Sequence, residues 1–366
     1  MSNRAPMYAL ASGLVALFCL AGCAGNGNQP PLMPSSNMSV RDRKATSTAS
    51  YTVTDLGTLP QCNGSRVDDG SFGNSGEVNA RGQVSGWSNC DSVAFATLFD
   101  KGKTANLNPP DAAVSVADSI NDSGQVTGWE LTNSSSSSHT FEYSNGKVRK
   151  IDDSLFPNGS EPLQINKSGQ IVGVGFITGS NFHAFLYSKG KMTDLDPFSG
   201  FQSTAMSIND AGEIIGTAAT SSGPILTWLY SNGKLTNLSQ TNEGDFINDN
   251  GQIVGMTPST GHAALYSNGA WTDLGAYQGH PTVATGINIK GQIVGFASFG
   301  MKRNTDEDVG LIFTRSGPVD LNTLIPPNTG FTITEAEAIN NAGQIAGNAN
   351  ISSDGQQHAV LLTPQK

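Results

Sequence analysis

One phrase recurs along the chain. Ser207–Gly216 reads SINDAGEIIG and Ser119–Gly128 reads SINDSGQVTG. Further copies occupy Ile165–Gly173, Phe246–Gly255, Gly286–Gly295 and Ala338–Gly347, and Glu77–Gly86 is a degraded seventh. The glycine of the Asn-x-x-Gly core falls at positions 82, 124, 169, 212, 251, 291 and 343, so neighbouring copies lie 39 to 52 residues apart. A chain written this way stacks one supersecondary unit repeatedly, and a mean spacing of about 43 residues is that of a four-stranded blade.

Each copy continues alike. A variable loop follows, then a second apolar phrase: HAFLYSKGKMTDL at 183–195, LTWLYSNGKLTNL at 226–238, HAALYSNGAWTDL at 262–274. HTFEYSNGKVRKI at 139–151, VAFATLFDKGKTANL at 93–107 and GLIFTRSGPVDL at 310–321 are variants. Asn-Gly in these phrases accepts the positive φ of a two-residue hairpin turn. The Asn-Asp-x-Gly stretches do similar work, because Asn and Asp bond back to their own backbone and Gly supplies a left-handed position. One unit therefore reads as four antiparallel strands, SIN, EIIG, LTWLY and KLTNL in the fourth copy. Tight turns join first to second and third to fourth. The second-to-third loop and the link to the next unit leave the opposite end.

The strands EIIG, QIVG and HAFLY are apolar without clean alternation, which suits sheets covered on both faces. Blades stacked in a ring are covered so. The first strands (TAMSIN, VADSIN, VATGIN) are poor in bulky groups, as the crowded centre of a ring requires. Tyr51–Gly57 (YTVTDLG) matches a fourth strand but has no partners before it, while His358–Thr363 (HAVLLT) is a third strand without a fourth. The fold class is therefore all-β. The expected architecture is a seven-bladed β-propeller of four-stranded antiparallel blades, closed when the N-terminal strand completes the last blade. An open solenoid would instead want polar caps at both ends.

The first residues stand apart. Arg4 precedes the apolar run Ala9–Leu20, which is too short for a mature membrane span. It ends in Leu20-Ala21-Gly22-Cys23, which resembles a bacterial lipoprotein signal whose Cys takes the lipid and becomes the new N-terminus. Residues 1–22 are thus expected to be removed and Cys23 lipidated. By that family's sorting pattern, Ala24 implies the outer membrane. The Pro-, Ser- and Asn-rich stretch to Ser50 reads as a disordered tether with a reach of about 30 Å. The propeller takes residues 51–366. A net charge of −10 gives no electrostatic footprint for nucleic acid. The membrane link is the lipid alone. Cys62 and Cys90 are the even pair left for an oxidising compartment, so a disulfide is expected. It would pin the Pro60–Gly76 link over blade one.

The repeats and His183-Ala184-Phe185 resemble the HAF repeats of bacterial extracellular proteins, with partial copies at His139-Thr140-Phe141, His262-Ala263-Ala264 and His358-Ala359-Val360. The resemblance runs from Tyr51 to the C-terminus and implies fold and compartment rather than a chemistry.

Four of the five histidines share one repeat position, the start of the third strand. Equivalent positions spread around a ring cannot converge on one metal ion, so a repeated structural hydrogen bond is the better reading. Asp122, Asp210 and Asp249 offer one carboxylate per turn, where calcium wants six to eight oxygens. No nucleophile elbow, paired-cysteine motif or phosphate loop is present. No metal or cofactor is expected. Asp306-Glu307-Asp308 reads as a solvated loop tip, with a catalytic, ion-binding or ligand-binding set as the alternative. Trp87 and Trp129 either pack against the next blade or form an aromatic platform for sugars.

What remains is a face of variable loops on a rigid scaffold, where binding residues concentrate. These residues suggest a monomeric, lipid-anchored binding or scaffolding protein of the bacterial envelope, with a glycan or an envelope protein as partner. The alternatives are a polysaccharide-acting enzyme with its site at the mouth of the central channel, and a structural envelope component without a small ligand.

Overall fold

The computed structural model describes residues 50–67, 76–135, 137–178, 181–198, 202–219, 225–239, 243–299, 308–353 and 355–365. They form seven four-stranded antiparallel sheets, each built from strands in chain order except the last. Blade two is representative: Ala112–Ile120, Val126–Thr132, His139–Ser144 and Lys147–Lys150, from the axis outward. The last blade pairs strand Tyr51–Asp55 with Gln357–Pro364, in a register from Tyr51 opposite Pro364 to Asp55 opposite Val360. The chain is thus a closed seven-bladed β-propeller, with its N-terminal strand as the outermost strand of blade seven.

The apolar cores lie between blades rather than within them. Ala96, Leu98 and Leu107 of blade one meet Ala117, Ile120, Val126 and Phe141 of blade two. Trp228 and Ile214 of blade four meet Val172 and Ala184 of blade three. This is why both faces of each sheet are apolar. Close stacking also explains the second glycine of the repeat. The first strand of blades two to seven carries one extra residue opposite it, as between Ala117 and Ser119 or Ala205 and Ser207. A Cβ on Gly216 would sit 2.2 Å from the Thr204 carbonyl oxygen and 2.3 Å from the Trp228 ring. In blade one the first strand is Gly64–Arg66, and beyond it Gly76 N–H donates to the Val67 carbonyl at 2.6 Å.

The Asn of each phrase does more than make a turn. Asn166 Oδ1 accepts from the N–H groups of Ser168 and Gln170, both at 3.0 Å. Its Nδ2 donates to Gln170 Oε1 at 2.9 Å and, across the blade boundary, to the Asn209 carbonyl at 3.1 Å. The same inter-blade bond runs from Asn79 to Asn121, on to Asn166, Asn209, Asn248, Asn288 and Asn340, and back from Asn340 to Asn79. Seven buried amides form a closed belt around the axis. The acids that follow form a partial second belt: Asp122, Asp210 and Asp249 accept the N–H of Ala80, Lys167 and Asp210 from the preceding blade.

His-Ala-Phe has an equally structural meaning. His183 Nδ1 faces Asp194 of the outermost strand at 2.8 Å. Ala184 N–H donates to Ser203 of the next blade at 3.0 Å, and its small side chain lets that blade approach. Phe185 is fully buried against Gly173. His262 pairs with Asp273, and His139 with Asp153 in the following link. At the seam His358 meets Asp55 of the closing strand at 3.0 Å. Burial works to raise the Asp55 pKa, but the bonds from His358 and Gly57 N–H and the imidazole charge together leave it below the ordinary value. Arg66 of blade one also crosses the seam to Glu335 of blade seven at 3.0 Å.

Cys62 and Cys90 are joined, with Cα atoms 4.1 Å apart. Cys90 ends the second strand, and the turn beyond it is only Asp91–Ser92, both at positive φ of 53° and 70°. The expected longer loop is absent there. In the chain-entropy model, a bridge spanning 28 positions contributes about 3–4 kcal/mol. Cys90→Ser should therefore lower the denaturant midpoint by the corresponding amount without changing the circular dichroism of the fold; an unchanged midpoint would show that the bridge adds no stability.

Candidate functional site

The residues that repeat are occupied in building the ring. Function is to be sought where the blades differ while the scaffold does not. One such place is on the axis. The residue two before each belt Asn lines the central channel or its wall, and across the blades it is Glu77, Ser119, Gln164, Ser207, Phe246, Gly286 and Ala338. At the tight-turn end the channel opens into a cavity of about 200 Å³ lined by Glu77, Gln164, Phe246, Gly286, Glu337 and Ala338 among others.

Blades one to four make the polar half of this mouth. Ser119 Oγ donates to Glu77 Oε2 at 2.7 Å, and Gln164 Nε2 donates to Glu77 Oε1. Ser207 Oγ donates to Gln164 Oε1 at 2.5 Å, and the Ile208 N–H donates to the same oxygen at 2.7 Å. The serines are held in turn by backbone donors, Ile165 N–H on Ser119 and Ile247 N–H on Ser207. Blades five to seven offer no such groups at the equivalent positions: Phe246 is half-buried, followed by Gly286 and Ala338. The rim carries exposed Asp122, Asp210, Asp249 and Lys167, with Ile289 exposed at 42% beside them and the cations Arg81 and Lys290 exposed in the same turns.

Burial pushes the Glu77 carboxyl up to about 7, against the bonds from Gln164, Ser119 and Ile120 N–H, with the Asp122 charge adding to the rise. The group sits deep in the molecule, yet its residue keeps some exposure through the channel. A carboxyl whose folded pKa exceeds its unfolded value holds more protons in the folded state between the two. Its contribution is fully present below about 4.5 and is lost as pH rises through about 7. Stability should fall across that window, and Glu77→Gln should flatten this part of the profile in pH-dependent denaturant melts. A slope that survives the substitution would assign it to another group.

The residues singled out from sequence lie elsewhere. Trp87 and Trp129 are half-buried in the middle of adjacent second strands, paired with Ala96 and Thr140 of the third strands. Neither lines the axial cavity, and the Trp129 Nε1 is buried with no acceptor in the protein. Asp308 is 2% exposed and accepts the Phe299 N–H at 3.3 Å, so it fastens its loop rather than pointing into solvent. Asp306, Glu307 and Cys23 lie outside the described residues. His280 stacks on Phe299 with ring centroids 4.0 Å apart. Among the described residues no group of three or more metal-ligating side chains gathers.

No protein-family model matches the chain, and no curated protein matches it. Among solved structures it is similar to YCF48 bound to D1 peptide, at 12% identity over 88% of this chain and 97% of that one, with a TM-score of 0.49. TolB from Acinetobacter baumannii aligns at 12% identity over 75% of this chain, with a TM-score of 0.41. A prolyl endopeptidase aligns at 9% identity over 87% of this chain, with a TM-score of 0.47. The chain spans 60% of the TolB chain and 51% of the endopeptidase chain. These likenesses concern the fold alone.

Proposed function

We propose that the protein is a binding or scaffolding propeller of the bacterial cell envelope, anchored by lipid at Cys23 to the outer membrane and presenting a glycan- or protein-binding surface. One observation carries the binding part. The repeated Asn, Gly, His and Ala positions are used in clasps within and between blades, whereas the departures from repetition gather at the axial mouth and in the variable loops. A rigid scaffold with non-repeating presentation sites is what recognition needs. The anchor rests on Leu20–Cys23. Among the described residues no helix is long and apolar enough to cross a membrane.

A screen of the mature protein against glycans, peptidoglycan and envelope extracts tests the reading, with Cys23→Ser as the test of anchoring. Saturable binding to one class, and release of Cys23→Ser from membranes, are expected. Absence of any saturable ligand would leave the structural-component alternative. The enzyme alternative draws on Glu77, whose pKa of about 7 suits proton transfer. Polysaccharide turnover lost in Glu77→Gln would favour it.

A further inference from the structure

The hydrogen-bond directions in the axial mouth converge on one group. Ser207 donates to Gln164, Gln164 donates to Glu77, and Ser119 donates to Glu77. A hydroxyl that donates its one hydrogen has none left, and Gln164 Oε1 is already taken by two donors. Donors in a chain polarise one another towards the terminal acceptor. The chain therefore ends as an acceptor, the Glu77 carboxylate, with no side-chain cation among its hydrogen-bond partners. Three donors reach that carboxylate, from Ser119, Gln164 and Ile120 N–H, and a carboxylate has about four acceptor positions. The capacity left over suits one further donor. Opposite stands a wall of Phe246, Gly286 and Ala338, which can neither donate nor accept through a side chain.

Size narrows the choice. At about 200 Å³ the cavity is smaller than the roughly 300–1,000 Å³ of drug-sized pockets, so it fits a compact head group rather than a polymer chain. A neutral hydroxyl could satisfy the remaining acceptor but not the charge. A guanidinium's paired donors want two acceptor positions side by side, whereas the Glu77 carboxylate, with three donors already on it, has about one left. A bare metal ion wants several converging oxygens, and no such group gathers among the described residues.

We infer that the axial mouth binds a primary alkylammonium group, its –NH₃⁺ on the Glu77 carboxylate and its short alkyl stem on Phe246. The inference deepens the binding reading above and rests on it. Other charges share the mouth: Glu337 lines it from blade seven, Asp122, Asp210, Asp249 and Lys167 stand on the rim, and Arg81 and Lys290 are exposed in the same turns. Their sum is acidic and favours entry of a cation. Because the ammonium needs an ionised partner, affinity should increase as pH rises through about 7, where Glu77 loses its proton.

The test is calorimetric titration of the full-length protein with n-butylammonium, methylammonium, 1-butanol and Nα-acetyl-lysine methylamide. Butylammonium should bind measurably more tightly at pH 8 than at pH 6, and butanol should not bind. Glu77→Gln should weaken the ammonium about tenfold or more, the scale of a hydrogen bond to a charged group. Phe246→Ala, which keeps the carboxylate, should weaken butylammonium but barely affect methylammonium. The lysine derivative separates the sources. If it binds like butylammonium, a lysine side chain of a partner protein fits the site; if it does not, free amines remain. Binding that is indifferent to Glu77→Gln and to pH, or equal affinity for butanol, overturns the inference. So does no heat with any amine while Glu77→Gln keeps its fold. An envelope ligand captured in the broader screen under those conditions would leave the binding reading standing without this ligand class.

Discussion

Removing Tyr51–Gly57 should lower the melting temperature by about 10 °C or more and promote association between molecules. The segment carries two buried side chains, Tyr51 and Leu56, and a five-position ladder with the last strand. Each apolar side chain is worth about 1.5–3 kcal/mol when fully buried. Tyr51 belongs to the core shared by blades six and seven, and Leu56 to the core shared by blades seven and one. Its loss also takes away Asp55 and so one partner of His358. What is exposed is the free edge of Gln357–Pro364, a template for a strand from another molecule. Calorimetry with light scattering reads both effects. An unchanged melting temperature with no gain in association would mean that the ring does not depend on this strand.

Gly216→Ala should cost at least about 3 kcal/mol, although it adds one carbon. That carbon would meet the Thr204 carbonyl oxygen at 2.2 Å and the buried Trp228 ring at 2.3 Å. The carbonyl belongs to the bulged first strand, and Trp228 is fully buried in the core between blades three and four. Neither can withdraw without opening a neighbouring contact. Gly233→Ala provides the comparison. Its φ is +76° in the outer hairpin turn, but nothing lies within 4 Å of the added carbon. It should lose only the left-handed penalty, about 1–2 kcal/mol. Chemical denaturation of the two variants tests this order, and equal losses would show that backbone conformation, not crowding, demands the glycine at 216.

The architecture was largely legible because the units repeat. Seven Asn-x-x-Gly phrases, tight hairpin turns and an orphan fourth strand at Tyr51–Gly57 suffice to close the ring on paper. Details failed where local chemistry departs from the average turn. Asp91–Ser92 makes a two-residue turn without glycine, so a longer loop was expected. Strands Ile171–Thr178 and Asn181–Ser188 run on into a stretch that reads as loop from its Gly and Ser content. The candidate site was harder. A tryptophan after the repeat Gly attracts notice, yet its position in the strand half-buries it. The informative signal was quieter: the residue two before each Asn changes from Glu77 to Ser119, Gln164, Ser207, Phe246, Gly286 and Ala338 while its surroundings repeat. Its meaning depends on seven blades meeting at one axis, which no single unit reveals. The same holds for the Asn belt. Within one unit, an Asn that serves its own turn looks no different from one that also grips its neighbour.

The repeated Asn clasps blade to blade, and Asn166→Asp tests this most directly. Aspartate keeps the Oδ1 acceptor for Ser168 and Gln170 N–H and is equally at home in such a turn. It can donate neither to the Asn209 carbonyl, which lies 3.1 Å away across the blade boundary, nor to Gln170 Oε1 within its own turn. Asn145→Asp is the control, an exposed hairpin residue at φ +52° with no inter-blade bond. Measured by urea denaturation at pH 7, Asn166→Asp should lose about 2–4 kcal/mol while Asn145→Asp stays near the parent. If both substitutions are equally mild, the Asn serves its own turn only, and the belt does not hold the ring together.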